Sequence, residues 1–196
     1  MGDKSLRKKQ YIIEKAREVF MEKGYKNVTM KDIVEACDIS RGGLYLYFDS
    51  TKQLFLEVLK ADDEGEEDIF AGKVTEKSGA AEILVLFLVE QKKSILKKRG
   101  NLAKATYEFY FEARPERKDD IYRDAFDSEV KVLEAIIDKG VKSGEFTCNN
   151  SLEAAKNIMF TLEGMRILAN TVGTTADVLD RQFLYILATL GVNSEA

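Results

Sequence analysis

Apolar residues recur every three to four positions along most of this chain, and that period predicts an all-α protein. Over residues 4–23, Ile12, Ala16, Val19 and Phe20 make one stripe, and Gly24 follows where a left-handed residue ends a helix at low cost. A second helix is expected from Thr29, because Thr-x-x-Asp (Thr29 to Asp32) is close to a capping box. Its apolar positions are Met30, Ile33, Val34 and Cys37. Asp38 supplies the turn, since Asp tolerates left-handed backbone better than most non-glycine residues. Ser40 caps a short third helix that ends near Phe48. Ser50-x-x-Gln53 is another capping box and opens a long fourth helix bearing Leu54, Phe55, Val58 and Leu59.

From Asp62 to Gly79 the pattern gives way to acidic residues and glycines, which places a linker in or near that stretch. Helical periodicity then resumes over 80–98, 101–113, 117–143, 151–172 and 175–190, punctuated by Gly100, Pro115, Gly144 and Gly173. No repeat, low-complexity run or convincing strand interrupts it. Residues 1–53 are read as a small three-helix head and 54–196 as a larger helical body.

Composition narrows what such a protein can do. The first ten residues are polar and basic, unlike a signal peptide, and the most apolar run, Ile83 to Val89, is far short of the ~20 residues a membrane-spanning helix needs. A cytoplasmic protein is expected. Histidine is absent, which removes the commonest general base and the commonest zinc ligand. Cys37 and Cys148 match no metal-ligand spacing and are read as reduced, structural thiols. Neither a metal nor another cofactor is expected. An enzyme built on this body would have to rest on carboxylates such as Glu108, Glu112 or Glu163. The net charge of −4 is unevenly spread: residues 1–53 hold eleven basic and eight acidic residues, the remainder nineteen and twenty-six. A basic head on an acidic body suits a nucleic-acid partner better than the total does.

Thr29 to Phe48 has the format of a helix-turn-helix, whose second helix lies in the DNA major groove. Gly42 and Gly43 each cost ~1 kcal/mol of helix stability relative to alanine. Close approach to DNA would explain them, as would tight packing against the first helix. Arg41 beside them can reach a base edge, most naturally guanine, or a phosphate. Thr29 and Lys31 stand at the start of the second helix, where backbone N–H groups favour an anion, and Thr51 and Lys52 at the start of the fourth. Leu44 and Phe48 are expected to face the core. Lys4, Arg7, Lys8 and Lys9 form a basic arm that is either a frayed terminus or a further DNA contact. In the body, Glu163 and Arg166 are charges on an otherwise apolar helix and need a partner: each other, a second subunit or a ligand.

Taken together these residues resemble the N-terminal domain of the TetR family of transcriptional repressors. The resemblance runs through Ala16, Phe20, Gly24-Tyr25, Thr29 and Ile33. It continues through Ile39-Ser40-Arg41-Gly42-Gly43-Leu44-Tyr45-x-Tyr47-Phe48 and ends at Leu54-Phe55. It covers residues 12–55; beyond them it is architectural only. Asp38 stands where the family usually has a turn glycine, and Thr51 where lysine is usual, with Lys52 at the next position. The resemblance implies that Ser40, Arg41, Gly42, Gly43, Tyr45 and Tyr47 meet DNA, the tyrosine hydroxyls on phosphates. It implies a small effector inside the body, with Phe87, Tyr107, Phe111, Phe126, Met159, Leu162 and Met165 as candidate lining and Glu163 or Arg166 as polar anchors. It also implies a homodimer through the last two helices, whose apolar faces are Leu152, Ala155, Ile158, Met159 and Leu162, and Leu179, Phe183, Ile186, Leu187 and Leu190. The function implied is a ligand-responsive repressor on a palindromic operator. The alternatives are a helical-cavity enzyme or ligand-binding protein using carboxylates, and a helical adaptor with a degenerate helix-turn-helix.

Overall fold

The structure, a computed structural model, describes residues 3–71, 78–97, 101–113, 115–117 and 120–192. Among them are nine α-helices and no strand, as the periodicity predicts. They are α1 (Asp3–Lys23), α2 (Met30–Cys37), α3 (Arg41–Tyr45), α4 (Thr51–Ala71), α5 (Ala80–Leu96), α6 (Ala103–Ala113), α7 (Ile121–Ser143), α8 (Ser151–Thr171) and α9 (Ala176–Thr189). The chain forms two compact units, Met1–Asp68 with Arg99–Ile121, and Ile69–Lys98 with Tyr122–Ala196.

The first unit differs from the expected head in two ways. The expected boundary after residue 53 falls inside α4, whose Leu54, Phe55 and Val58 are fully buried in the head's core. Moreover α6, expected in the body, brings Ala105 and Phe109 into that core, with Leu102 just before it. The centre is aromatic. Phe20 meets Phe55 edge-on at 4.7 Å between ring centres, and Tyr25 meets Phe109 at 4.9 Å. Gly24 ends α1 at φ +76°, the left-handed region that its missing β-carbon makes cheap. Cys37 lies buried in this core as a free thiol, and burial pushes its pKa up, so it is a packing residue as expected.

The second unit packs α5, α7, α8 and α9. Its core joins Leu84 and Leu88, Leu133 and Ile137, Met159 and Leu162, and Leu179 and Phe183. The start of α5 is capped by the Glu145 carboxylate, which accepts hydrogen bonds from the Ala80 and Ala81 N–H groups at 3.1 and 3.0 Å. Those bonds and one from Ser143 hold its carboxyl below the usual range. The apolar stripes expected to form a dimer face on α8 and α9 are turned inward instead. Ala155, Ile158, Met159, Leu162, Leu179, Phe183, Ile186 and Leu190 are all buried in their own unit, Leu187 packs against the same core, and Leu152 is exposed. The apolar side chains these helices show to solvent are others, Phe160, Ile167, Leu168, Leu184 and Tyr185 among them. No helix among the described residues is long and apolar enough to cross a membrane.

Candidate nucleic-acid interface

The turn between α2 and α3 is built by local hydrogen bonds. Thr29 N–H donates to Asp32 Oδ2 at 2.7 Å and Asp32 N–H to Thr29 Oγ1 at 3.3 Å, completing the expected capping box. The Thr29 hydroxyl also donates to Asp32 Oδ2 at 2.6 Å, and Lys23 Nζ to Oδ1 at 2.6 Å. Lys23 and Thr29 together hold the Asp32 carboxyl far below the usual carboxylate range. The start of α2 therefore already carries a carboxylate on its dipole. The Thr29 hydroxyl is spent inside the cap, and Lys31, exposed and 3.6 Å from Glu35, is the outward cation of this turn. At the other end Asp38 adopts φ 50°, ψ 48°, with its N–H bonded to Glu35 O at 3.3 Å, so the turn closes without glycine.

Helix α3 has an inner face and an outer face. Leu44 and Phe48 are buried and pin the segment to the head. Ser40 Oγ accepts from Gly43 N–H at 3.1 Å, which starts the helix. Outward lie Arg41, Gly42 and Tyr45, all exposed, with the Arg41 guanidinium 5.5 Å from the centre of the Tyr45 ring. A β-carbon on Gly42 would meet nothing within 4 Å, which removes tight packing as the reason for this glycine. On Gly43 it would lie 3.1 Å from Ser40 Oγ and 4.0 Å from Lys8 Nζ.

The flanks are more engaged than their sequence suggests. Tyr47 is half-buried, its hydroxyl 3.5 Å from the Ser5 hydroxyl that donates to it. Thr51 is half-buried, and burial and the nearby Glu112 push up the pKa of the Tyr25 phenol. Lys52 is exposed. At the start of α4, Ser50 Oγ accepts from Gln53 N–H at 3.2 Å, while Gln53 Oε1 accepts from Asp49 N–H at 2.7 Å, one residue earlier than in a standard box. The basic arm is helical from Asp3 onward. Arg7 pairs with Asp3 and Lys9 with Glu57, each at 2.5 Å, whereas Lys8 reaches toward α3. Lys8 of the expected basic arm thus belongs to the site's surroundings, and so does a residue absent from every expectation, Leu46, which is 81% exposed directly after α3.

The expected effector residues fall in both units. Phe87, Met159, Leu162 and Met165 are buried together in the core of the second unit, with Phe126 packed against them. Arg166 donates to Glu163 and Gln91, Tyr122 donates to Glu163, and Glu129 Oε2 lies 3.9 Å from Arg166. Burial works against the Arg166 charge, but Glu129 and Glu163 outweigh it and raise its pKa. Tyr107 and Phe111 belong to the first unit. They lie on α6, and Phe111 is exposed, because α6 turns Ala105 and Phe109 to the head's core instead. Of the carboxylates an enzyme would need, Glu108 accepts the Lys26 N–H at 3.1 Å and Glu112 pairs with Lys26 Nζ at 3.6 Å, so both hold the loop after α1. No cluster of three or more His, Cys, Asp or Glu side chains suited to a metal occurs among the described residues.

Comparison with known proteins accounts for both units. The family described as "Bacterial regulatory proteins, tetR family" matches residues 12–58, and "Tetracyclin repressor-like, C-terminal domain" matches residues 83–178. The chain is 32% identical over 137 residues to the HTH-type transcriptional regulator YfiR of Bacillus subtilis, a stretch that makes up 69% of this chain and 66% of that protein. It is 38% identical over 61 residues to the HTH-type transcriptional repressor AcnR of Corynebacterium efficiens, 31% of this chain and 32% of the other. The chain thus aligns with just under two thirds of YfiR and about a third of AcnR. A crystal structure of a TetR transcription regulator from Haloarcula marismortui shares the fold, with a TM-score of 0.82 over 94% of this chain and 97% of that one at 19% identity.

Proposed function

The chain belongs to the TetR family of bacterial transcriptional regulators, and on that premise we propose that it is a repressor that binds a near-palindromic operator as a homodimer and is released by a small molecule. The family is one of regulators, not enzymes. One observation carries the DNA-binding reading: the outer face of α3, Arg41, Gly42 and Tyr45, is exposed and spent on no packing, while Leu44 and Phe48 fix the same segment rigidly from within. Arg41 is assigned to a base edge, and Ser40, Gly42 and Gly43 to bringing the α3 backbone close to the groove. Tyr45, Tyr47, Lys31 and Lys52 are assigned to phosphates, which fix register. Thr29, with its hydroxyl engaged inside the cap, and Thr51, half-buried at the first position of α4, act by shaping the helix ends that present those groups.

In the body, Phe87, Phe126, Met159, Leu162 and Met165 are assigned to the apolar part of an effector site, with Arg166 and Glu163 as its polar end. A ligand releases DNA only in so far as it binds the released state better, each tenfold preference being worth ~1.4 kcal/mol. Dimerisation is assigned to the apolar side chains that α8 and α9 expose, Phe160, Leu168, Leu184 and Tyr185. The protein would do this work in the cytoplasm, where its DNA is. The test is selection from a random duplex pool followed by gel-shift titration of the purified full chain. A two-fold symmetric enriched site, bound far better than scrambled DNA at physiological salt, is expected. Binding that ignores sequence would sink the reading.

A further inference from the structure

We propose that Leu46 is a base-reading residue that contacts the C5-methyl group of a thymine in each half-site. The inference rests on the DNA-binding reading above and adds a base to it. Leu46 is 81% exposed, the most exposed of the large apolar side chains described in the first unit. An isolated surface leucine is ordinary; this one is distinguished by where it is held. Its backbone is still helical, at φ −68° and ψ −20°, and its N–H is bonded to Gly42 O at 3.2 Å. It therefore follows Gly42 by one helical turn, on the face where no side chain stands in front of it. The buried residues Leu44 and Phe48 on either side keep the segment from rolling to hide it. The outer face of α3 thus offers Arg41 as a cation, Tyr45 as an aromatic hydroxyl, a bare backbone at Gly42 and one aliphatic group.

Arg41 and Tyr45 have polar partners in any DNA groove. Leu46 has one: the thymine methyl is the apolar feature of the major-groove edge, and aliphatic side chains discriminate thymine through it. Against a phosphate or any other base edge, Leu46 would only remove water from polar atoms.

The test uses the full chain and the operator enriched by selection. Each thymine is replaced in turn by deoxyuridine, which removes the methyl and leaves base pairing intact. For the unaltered protein, substitution at one symmetry-related thymine pair should weaken binding about fourfold per methyl, the equivalent of ~0.8 kcal/mol. For Leu46→Ala the same substitution should change affinity less than 1.5-fold (about experimental error), because the contact is already gone. Leu46 is too exposed to support the fold, so an unchanged circular dichroism spectrum and melting temperature are expected of the variant. The proposal is overturned if no thymine responds in the unaltered protein, or if Leu46→Ala responds equally. Failure to enrich any sequence would overturn the regulator reading and this assignment together, whereas an enriched site insensitive to deoxyuridine overturns this assignment alone.

Discussion

The carboxylate of Glu108 occupies the space a side chain at Gly24 would need: a β-carbon there would lie 2.5 Å from Glu108 Oε2. The same oxygen accepts the Lys26 N–H at 3.1 Å, so α6 clamps the loop that leads from α1 into the helix-turn-helix. Gly24→Ala then costs twice. The left-handed backbone at φ +76° is strained by about 1 kcal/mol, and Glu108 must swing away and lose a charge-assisted bond worth about 1.5 kcal/mol. A loss of about 2–3 kcal/mol is expected in urea denaturation. In a Glu108→Ala background the same substitution should cost only the backbone strain. Equal costs in both backgrounds would show that the clamp contributes nothing.

The cap at the start of α2 makes a pH prediction. Lys23 and Thr29 hold the folded Asp32 carboxyl far below its unfolded value. A depressed carboxylate stabilises the fold above the unfolded value, near pH 4, and that contribution is lost as pH falls toward the folded one. Asp32→Ala should therefore lower stability at pH 7 by about 1 kcal/mol, the size of a lost cap. The difference in melting temperature from the unaltered protein should shrink steadily as pH drops below about 4. A gap that stays constant from neutral pH into acid would contradict the Lys23–Asp32–Thr29 arrangement.

These two sites also show what the chain discloses before folding. The Thr29–Asp32 box, the Asp38 turn and the Ser40 cap are legible because their partners lie within four residues. The outer face of α3 is legible for the same reason, since Leu44 and Phe48 mark the inner face. The docking of α6 is not. Its spacing shows an apolar face at Ala105 and Phe109, but spacing does not say which core that face will meet. The α8 and α9 stripes are read the wrong way round for the same reason: α8 carries a second, sparser apolar face at Phe160, Ile167 and Leu168, and spacing does not say which face meets the protomer's own core. The bond from the Lys26 N–H to Glu108 joins residues eighty-two positions apart, beyond the reach of any local pattern.

Arg41 and Lys52 should fail in different ways. A base contact carries discrimination, so Arg41→Ala is expected to cost about 1–3 kcal/mol on the selected operator and little on scrambled DNA. A phosphate contact carries register and counterion release. Lys52→Ala should weaken both DNAs alike and reduce the slope of log K against log salt by about one. Gel-shift titrations of both variants at several salt concentrations separate the two, and a uniform loss for Arg41→Ala would move it to the phosphates.

The exposed apolar residues of α8 and α9 offer a direct test of assembly. Leu184 is half exposed within the protomer, so Leu184→Glu should leave helicity and melting of the isolated fold nearly unchanged. Buried at an interface between copies, the same carboxylate would have no partner and would oppose association. Sedimentation equilibrium should then report a monomer at micromolar concentration. Affinity for the full palindrome should fall by about a hundredfold or more, because two linked heads gain that much over one. A Leu184→Glu protein that remains dimeric would place the interface elsewhere.

Arg166 presents the sharpest contrast between a charge kept for stability and one kept for a ligand. Its side chain is 19% exposed, between Glu163 at 15% and Glu129 at 27%, with Gln91 completing the guanidinium's partners. Replacing it by methionine removes the cation and leaves both carboxylates in a largely dry site. Breaking a buried pair in this way costs about 3–5 kcal/mol, and the residual exposure of the group argues for the lower end, about 3 kcal/mol. Removing the Glu163 carboxylate as well should return part of that stability, since an apolar and amide replacement of an ion pair is often neutral, while Glu129 still lacks its cation. Arg166→Met is thus expected to melt well below the unaltered protein, and Glu163→Gln with Arg166→Met to regain part of the loss, the Glu129 carboxylate remaining without its cation. If the pair exists to anchor an effector, the partly recovered double variant should still bind the operator yet no longer be released by a compound that releases the unaltered protein. If release persists in the double variant, Arg166 and Glu163 serve the fold alone, and the effector must be held by the apolar residues around Met159 and Phe126.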